Sequence, residues 1–524
     1  MLLKAKDLLI SAGARTLMTI DNLEIHEGDK IGLIGKNGAG KTTLLQVLAG
    51  LQSQEKGTME RFGKIEYIPQ LKEQNGKKSG GELTQQYIQK AFSTQTGLLL
   101  ADEPTTHLDT KHIEWLEQSL SHWHGAYLII SHDRAFLDQV CTKIWEIDNQ
   151  KLRVFNGNYT QFKDQKEKEE QFKRQKYEKY EEKKRQLEKA LEKKKEKAKR
   201  ATKKPKKTSN SEAKITGAKP YFAKKQKKLH QTAKNIETRL KKMEKVEKPF
   251  EEKPLKMEIP NQDQIYNKIL IQADHLEGKI INRLLWKKAS FFIKAGEKVA
   301  ITGPNGSGKT TLLNKILNRS KGITVSPACK IGYFKQDLSL LDERRSILEN
   351  VQEGSNHPET LIRTVLARLQ FRGDDVYKKV NVLSGGERVK VSLAKIFVSD
   401  SNTLFLDEPT NYLDIEAMEA LENLLKDYEG TLLFVSHDRR FVEKIATKII
   451  SIEDNRLSVF DGTLKEYNEA TSNRKPNMEG ELLRLETKIS AVLGKLSIEP
   501  NPELEKEFEH LVKLKKQLIA NREA

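Results

Sequence analysis

The sequence predicts an α/β protein in four parts: two similar domains, each with a buried sheet feeding a glycine-rich loop, a long α-helical hairpin linker between them, and a C-terminal helical extension. Three observations predict it. A glycine-rich loop occurs twice, as Gly35-Lys-Asn-Gly-Ala-Gly40-Lys41-Thr42 and Gly303-Pro-Asn-Gly-Ser-Gly308-Lys309-Thr310. The motifs that follow each loop recur in the same order. Between the two sets lies a stretch, Asp164 to Thr202, that contains neither Pro nor Gly and is rich in Glu, Lys, Gln and Ala, the composition of a long helix.

Each loop sits in the context its chemistry needs. The apolar runs Lys30-Ile-Gly-Leu-Ile-Gly35 and Lys298-Val-Ala-Ile-Thr-Gly303 read as buried strands, and Leu-rich helical stretches follow. A loop of this form aims backbone N–H groups at the phosphates of a nucleotide, sends a lysine to them, and offers a hydroxyl to a divalent cation. The phosphate-binding residues are therefore Gly35, Asn37, Gly38, Gly40, Lys41, Thr42 and Thr43 in the first domain. Gly303, Asn305, Gly306, Gly308, Lys309, Thr310 and Thr311 are their counterparts in the second. One such loop can arise by chance as a glycine-rich turn; two in matched context make a pair of nucleotide sites.

Downstream, the first half carries Gln70, Ser79-Gly80-Gly81-Glu82, Asp102-Glu103, Leu108-Asp109 and His132. The second carries Gln336, Ser384-Gly385-Gly386-Glu387, Asp407-Glu408, Leu413-Asp414 and His437. An internal repeat of this kind outweighs any single motif. The set resembles the ATP-binding-cassette superfamily, in which two cassettes pair head to tail and each nucleotide lies between one phosphate loop and the other cassette's Ser-Gly-Gly segment. With both cassettes in one chain, the pairing is expected within a monomer. The resemblance implies ATP and Mg2+ as ligands. It makes Glu103 and Glu408 the general bases, and His132 and His437 the switch residues at the γ-phosphate. Thr42, Gln70 and Asp102, with Thr310, Gln336 and Asp407, then attend the metal. Where the superfamily often has an aromatic stacking on adenine, this chain has Ala12 and Ile280. The run Ser131-His132-Asp133 is no hydrolytic triad, because adjacent residues point in different directions.

Spacing refines the domain reading. The loops are 268 residues apart (Gly35 to Gly303), but the Ser, Asp and His pairs are each 305 apart. The excess falls between Gln70 and Ser79, so the helical subdomain that such cassettes hold in this interval is expected as a vestige in the first. The second is expected to keep it across residues 337 to 383.

With 524 residues the chain exceeds one ordinary domain, and its two cysteines, Cys141 and Cys329, lack metal-ligand spacing. No apolar run reaches the ~20 residues that span a bilayer, and the N-terminus lacks a signal-peptide core. The expectation is a cytoplasmic protein without membrane insertion. Residues 161 to 250 hold 33 Lys+Arg against 14 Asp+Glu, an excess equal to the chain's whole formal net charge of +19. Such concentration points to a polyanionic partner met by the linker, through phosphate contacts and counterion release.

The first linker helix is expected over residues 164 to 202 and a second over 222 to 246. The tip between them lies at residues 203 to 220, which contain two prolines and a glycine. From Asn477 onward, Leu482, Leu485, Ile489, Val492, Leu493 and Leu496 keep helical spacing, Glu499-Pro-Asn-Pro502 breaks it, and Leu504, Phe508, Leu511, Leu514 and Leu518 resume it. The domains are thus 1–160, 161–260, 261–470 and 475–524.

Twin cassettes without membrane segments, joined by a long basic hairpin, resemble the ABC-F family of ribosome-associated ATPases. Ala201-Thr-Lys-Lys-Pro-Lys, Lys214-Ile-Thr-Gly-Ala-Lys-Pro-Tyr-Phe-Ala223 and Trp123-His-Gly-Ala, with the short interval after Gln70, resemble its Vga-type antibiotic-resistance members. That resemblance implies partners: the bacterial ribosome, with ribosomal RNA near the exit site and peptidyl-transferase centre, and P-site tRNA. It implies protection from lincosamides, streptogramin A and pleuromutilins, with hydrolysis releasing the protein. The tip residues Lys206, Lys207, Thr208, Ser209, Asn210, Ser211, Glu212, Ala213, Lys214 and Ile215 would reach the drug site, and Lys194, Lys199, Arg200, Lys224 and Lys227 would meet RNA phosphates. Two other readings stand beside it. A housekeeping ABC-F factor usually carries an arm that the interval from Gln70 to Ser79 cannot hold, and a transporter's ATPase module leaves the basic linker unexplained.

Overall fold

A computed structural model describes residues 1–13, 15–70, 86–91, 97–106, 108–200, 218–246, 268–280, 283–335, 340–474, 508 and 511–515. Several expected features lie outside them: Ser79, Gly80 and Gly81, Gln336, the tip residues 206–215, and most of the C-terminal extension.

The first cassette is one nine-stranded sheet in the order β4-β1-β2-β9-β8-β3-β7-β6-β5. Its strands are β1 (Leu3–Ala12), β2 (Arg15–Ile25), β3 (Lys30–Gly35), β4 (Lys56–Arg61), β5 (Ile65–Ile68), β6 (Leu98–Asp102), β7 (Ala126–Ile130), β8 (Lys143–Asp148) and β9 (Lys151–Asn156). Strands β6 and β7 are buried throughout, as unbroken apolar runs in a parallel sheet covered on both faces must be. The antiparallel β1–β2 hairpin instead alternates between buried and exposed residues.

The second cassette divides the same plan in two. Strands β10 (Ile269–Ile280), β11 (Arg283–Lys294) and β13 (Ile323–Val325) form one sheet, in the order β11-β10-β13. Strands β12 (Lys298–Thr302), β14 (Ile331–Phe334), β15 (Thr403–Asp407), β16 (Thr431–Val435), β17 (Lys448–Glu453) and β18 (Arg456–Asp461) form the other, in the order β14-β15-β16-β12-β17-β18. The difference is slight. Thr19 N–H donates to the Gln150 carbonyl and Lys287 N–H to that of Asn455, both at 2.9 Å, but only the first contact extends into a bridge that joins the sheets.

Between β14 and β15 the second cassette carries the helices Ile347–Gln352, Glu359–Arg368 and Gly385–Phe397, packed round buried Leu348, Ile362, Val365 and Leu366. In the corresponding interval of the first, the described residues form one short helix over 86–91, with Ile88 and Ala91 buried. No described helix is long and apolar enough to cross a membrane.

The linker helices run Tyr159–Arg200 and Ala218–Lys242, five and four residues earlier at their starts than the sequence indicates. Pro220 explains the second shift. It reads as a breaker, yet in a helix's first turn the missing N–H is no loss and the fixed φ suits the helix. At 1.5 Å per residue the 42-residue helix extends roughly 60 Å. Its beginning is fixed by Phe155 and Tyr159 against Phe162, with ring centroids at 5.0 and 5.9 Å. Farther out, Lys195 pairs with Glu237 of the returning helix at 2.6 Å, and the small residues Ala198 and Ala233 are buried. A helix over Leu464–Arg474 follows β18 and runs past residue 470.

Candidate functional site

Both glycine-rich loops do as their context requires. β3 ends at Gly35 and the helix Lys41–Ala49 begins after Gly40; β12 leads to Gly303 and the helix Lys309–Leu317 begins after Gly308. Gly40 and Gly308 sit at φ 94° and 104°, and a Cβ on either would lie 2.8 Å from Met18 or 2.7 Å from Trp286. Only glycine meets both conditions. The lysine that follows is buried and turned back on its own loop. Lys41 Nζ donates to the carbonyls of Gly35 and Lys36 at 2.6 and 3.1 Å, Lys309 Nζ to those of Gly303 and Pro304 at 2.9 and 3.1 Å. Burial lowers both ammonium pKa values.

The two loops face a single cavity of about 1420 Å³. Lining it are Asn37, Gly38, Gly40, Lys41, Thr42, Thr43, Gln70, Asp102, Glu103 and His132 of the first cassette. From the second come Asn305, Gly306, Gly308, Lys309, Thr310, Thr311, Ser384, Gly385, Gly386, Asp407, Glu408 and His437. Gly35 and Gly303 lie behind the wall, where a Cβ would press on the carbonyls of Ile147 and Ile452. Toward the hairpins β1–β2 and β10–β11 the lining is aliphatic: Ala12 and Leu17 on one side, Ile280 and Leu285 on the other.

Glu103 and Glu408 follow the last residues of β6 and β15 and hold left-handed backbone, at φ 50° and 48°. For a side chain with a Cβ this conformation is strained, and it recurs here at both equivalent positions. Burial pushes the Glu103 carboxyl up to about 8 and Glu408 up to about 7. Both therefore titrate near neutrality, where a carboxylate accepts a proton most usefully. His132 Nε2 lies 3.4 Å from Glu103 Oε1, and His437 Nε2 3.4 Å from Glu408 Oε1. Burial lowers both imidazoles to about 3, so they are neutral and these contacts are not ion pairs.

Asp102 and Asp407 are buried, which raises their carboxyl pKa values, and each is drawn toward the loop hydroxyl, Thr42 or Thr310. Thr310 Oγ1 lies 3.4 Å from Asp407 Oδ1. Asp102 Oδ2 is buried with no hydrogen-bond partner among the described residues. A carboxylate oxygen left bare beside a hydroxyl suits a hard divalent cation such as Mg2+.

Sequence reasoning missed the residues that close the cassettes on each other. Asp414 Oδ2 accepts from the Asn37 backbone N–H at 3.1 Å, and Asp109 Oδ2 accepts from that of Asn305 at 3.0 Å. Each aspartate also caps a helix, Asp109 accepting from His112 N–H and Asp414 from Ala417 N–H. Asn37 Nδ2 donates to the Tyr412 carbonyl at 2.9 Å, and a Cβ on Gly386 would stand 2.9 Å from that same nitrogen. Ser384 caps the helix Gly385–Phe397 in a capping box with Glu387, so this helix presents its N-terminus beside the first glycine-rich loop. Their signal in the sequence was the 305-residue repeat of the Leu-Asp pair, which gives no partner.

Known proteins share this design. The ABC transporter family profile matches residues 18–76 and 286–411. The erythromycin resistance ATP-binding protein MsrA of Staphylococcus epidermidis is 38% identical over 463 residues, covering 82% of this chain and 93% of MsrA. The ribosome protection protein VmlR of Bacillus subtilis (strain 168) is 34% identical over 537 residues, covering 95% of this chain and 94% of VmlR. In fold, the archaeal ribosome recycling factor aABCE1, solved with the ribosomal stalk protein aP1, superposes with a TM-score of 0.58. The match spans 89% of this chain and 92% of that one, at 18% identity.

Proposed function

This chain belongs to the ABC-F family of ATPases, and from that premise we propose that it protects bacterial ribosomes from antibiotics bound at the peptidyl-transferase centre. ATP is hydrolysed at two composite sites. In each, the phosphate loop and its lysine hold the β- and γ-phosphates, and the facing Ser-Gly-Gly segment, Ser384-Gly385-Gly386 or Ser79-Gly80-Gly81, closes over the γ-phosphate. Glu103 and Glu408 orient and deprotonate the attacking water. The neutral His132 and His437 donate a hydrogen bond to the γ-phosphate. Phosphoryl transfer demands chiefly such positioning and charge stabilisation. Thr42, Gln70 and Asp102, with Thr310, Gln336 and Asp407, would hold Mg2+. Bound there, the ion neutralises charge that develops on the phosphates.

One observation carries the composite reading: the reciprocal bonds from Asn37 to Asp414 and from Asn305 to Asp109, each tying one cassette's phosphate loop to the other cassette. The ribosomal half of the proposal draws on the basic linker and on relatives whose names record ribosome protection and erythromycin resistance. In it, the closed protein lies at the exit site beside P-site tRNA, and Lys194, Lys199, Arg200, Lys224 and Lys227 meet RNA phosphates. Residues 206 to 215 reach toward the drug, with lincosamides, streptogramin A and pleuromutilins as the classes displaced. Hydrolysis then releases the protein.

Co-sedimentation with purified bacterial ribosomes tests the partner. The Glu103→Gln/Glu408→Gln protein should pellet with ribosomes in ATP and stay in the supernatant without it. Equal recovery in both conditions, or association with membrane vesicles instead, contradicts the reading.

A further inference from the structure

Arg134 and Arg439 each follow the His-Asp pair of their cassette, and 305 residues separate them, as 305 separate Glu117 from Glu422. The fold pairs these four crosswise. Arg134 Nη2 binds Glu422 of the second cassette, and Arg439 Nη2 binds Glu117 of the first at 2.8 Å.

The two bridges are related by the repeat but are unequal. The Arg134 and Glu422 side chains are 1% and 2% exposed, those of Arg439 and Glu117 28% and 15%. Lys444 Nζ also binds Glu422, at 2.7 Å, where the first cassette's equivalent residue is the neutral Gln139. Arg134 Nη2 further reaches Asp438 Oδ2 at 3.4 Å. That contact joins the switch segments themselves, because Asp438 is the neighbour of His437 and Arg134 lies two residues from His132.

A buried guanidinium needs its counter-charges, and Arg134 meets both only when the cassettes are closed. Separation at one site therefore moves a segment that sets the histidine at the other. We propose that Arg134 is a positioning residue that couples His132 to His437 across the interface, making hydrolysis at the two sites interdependent. The proposal rests on the reading of the cavity as two composite ATP sites. The partly exposed Arg439–Glu117 and Arg440–Asp138 bridges, open to screening that the Arg134–Glu422 pair escapes, align the cassettes without carrying this coupling.

ATP turnover by the full chain, measured against ATP concentration, tests it. The native protein should show a Hill coefficient above 1. Arg134→Gln should bring it to 1 and lower kcat about tenfold or more, within the usual range of coupling energies. Arg439→Gln should keep the coefficient above 1 and kcat within about threefold. Arg134→Gln/Glu422→Gln, which leaves no lone buried charge between the pair, should recover the melting temperature but not the coefficient. A coefficient of 1 in the native protein, its persistence in Arg134→Gln, or its recovery together with stability in the double variant would overturn the coupling. If instead Glu103→Gln/Glu408→Gln turns over ATP normally, the composite-site reading itself fails.

Discussion

Asp414 serves two purposes that substitution can separate. One oxygen accepts from the Ala417 N–H at 2.9 Å and caps the helix Ile415–Asp427; the other accepts from the Asn37 N–H at 3.1 Å across the cassettes. Asparagine caps a helix about as well as aspartate, whereas alanine loses about 1 kcal/mol. A hydrogen bond to a charged group contributes about 1.5–3 kcal/mol and a neutral one about 0.5–1.5. Asparagine has a single acceptor oxygen, so with that oxygen on the cap its NH2 faces the Asn37 N–H and the cross-cassette bond is lost. Asp414→Asn should therefore leave the melting temperature nearly unchanged while weakening closure by about 1.5–3 kcal/mol, roughly 10- to 150-fold. Asp414→Ala should cost the cap and the whole cross-cassette bond, about 10- to 150-fold in closure. ATP turnover at subsaturating ATP, measured beside thermal unfolding, reads the two effects separately. Turnover within twofold of native in Asp414→Ala, or a loss in both variants that merely follows melting temperature, would refute the assignment of Asp414 to closure.

Glu103→Gln/Glu408→Gln should reduce steady-state phosphate release by about 100- to 10,000-fold, the range for losing a general base, with nucleotide binding retained in a filter assay. Replacing Lys194, Lys199, Lys224 and Lys227 by Gln should flatten the salt dependence of ribosome binding by roughly 0.7–0.9 per lost phosphate contact, without altering the melting temperature; an unchanged slope removes these lysines from the RNA interface. Closure should also fail in acid. Burial raises the pKa of Asp109, Asp414 and Glu422, but the bonds of Asp109 to Asn305 and His112, the nearby Lys390 charge and the Asn37 N–H at Asp414, and the bonds of Glu422 to Arg134 and Lys444 outweigh it, so all three fall below their ordinary values. A depressed carboxyl stabilises above its open-state value and loses that contribution as pH falls through the lower closed-state value. Fluorescence transfer between labels on the two cassettes should therefore hold steady down to about pH 4.5, Glu422's ordinary value, and drop below it. A drop near pH 6 would contradict this.

Much of the site was legible because its chemistry is local. A phosphate loop needs its glycines, lysine and threonine within eight residues, and Asp102-Glu103 and Asp407-Glu408 announce themselves at the ends of apolar runs. What could not be read was pairing across the interface. Arg134 and Glu422 are 288 residues apart and Asn37 and Asp414 377, and no periodicity joins residues that meet only when two cassettes close. The strain at Glu103 and Glu408 was equally hidden, since φ is set by where the strand end is held rather than by the residue type. Nor could the sequence foretell that a single bridge at Thr19 merges the first cassette's strands while the second stays divided. Pro220 misled the placement of the second linker helix because proline breaks a helix interior but suits its first turn.

The proposed function is ATP-dependent relief of drug-inhibited translation. It is tested most directly by adding the purified protein, or its Glu103→Gln/Glu408→Gln form, to a bacterial cell-free translation reaction stopped by a lincosamide, a streptogramin A, a pleuromutilin or erythromycin. The native protein should restore synthesis against the first three and the double variant should not. No restoration by a protein that still binds ribosomes and hydrolyses ATP would contradict it and favour a housekeeping factor.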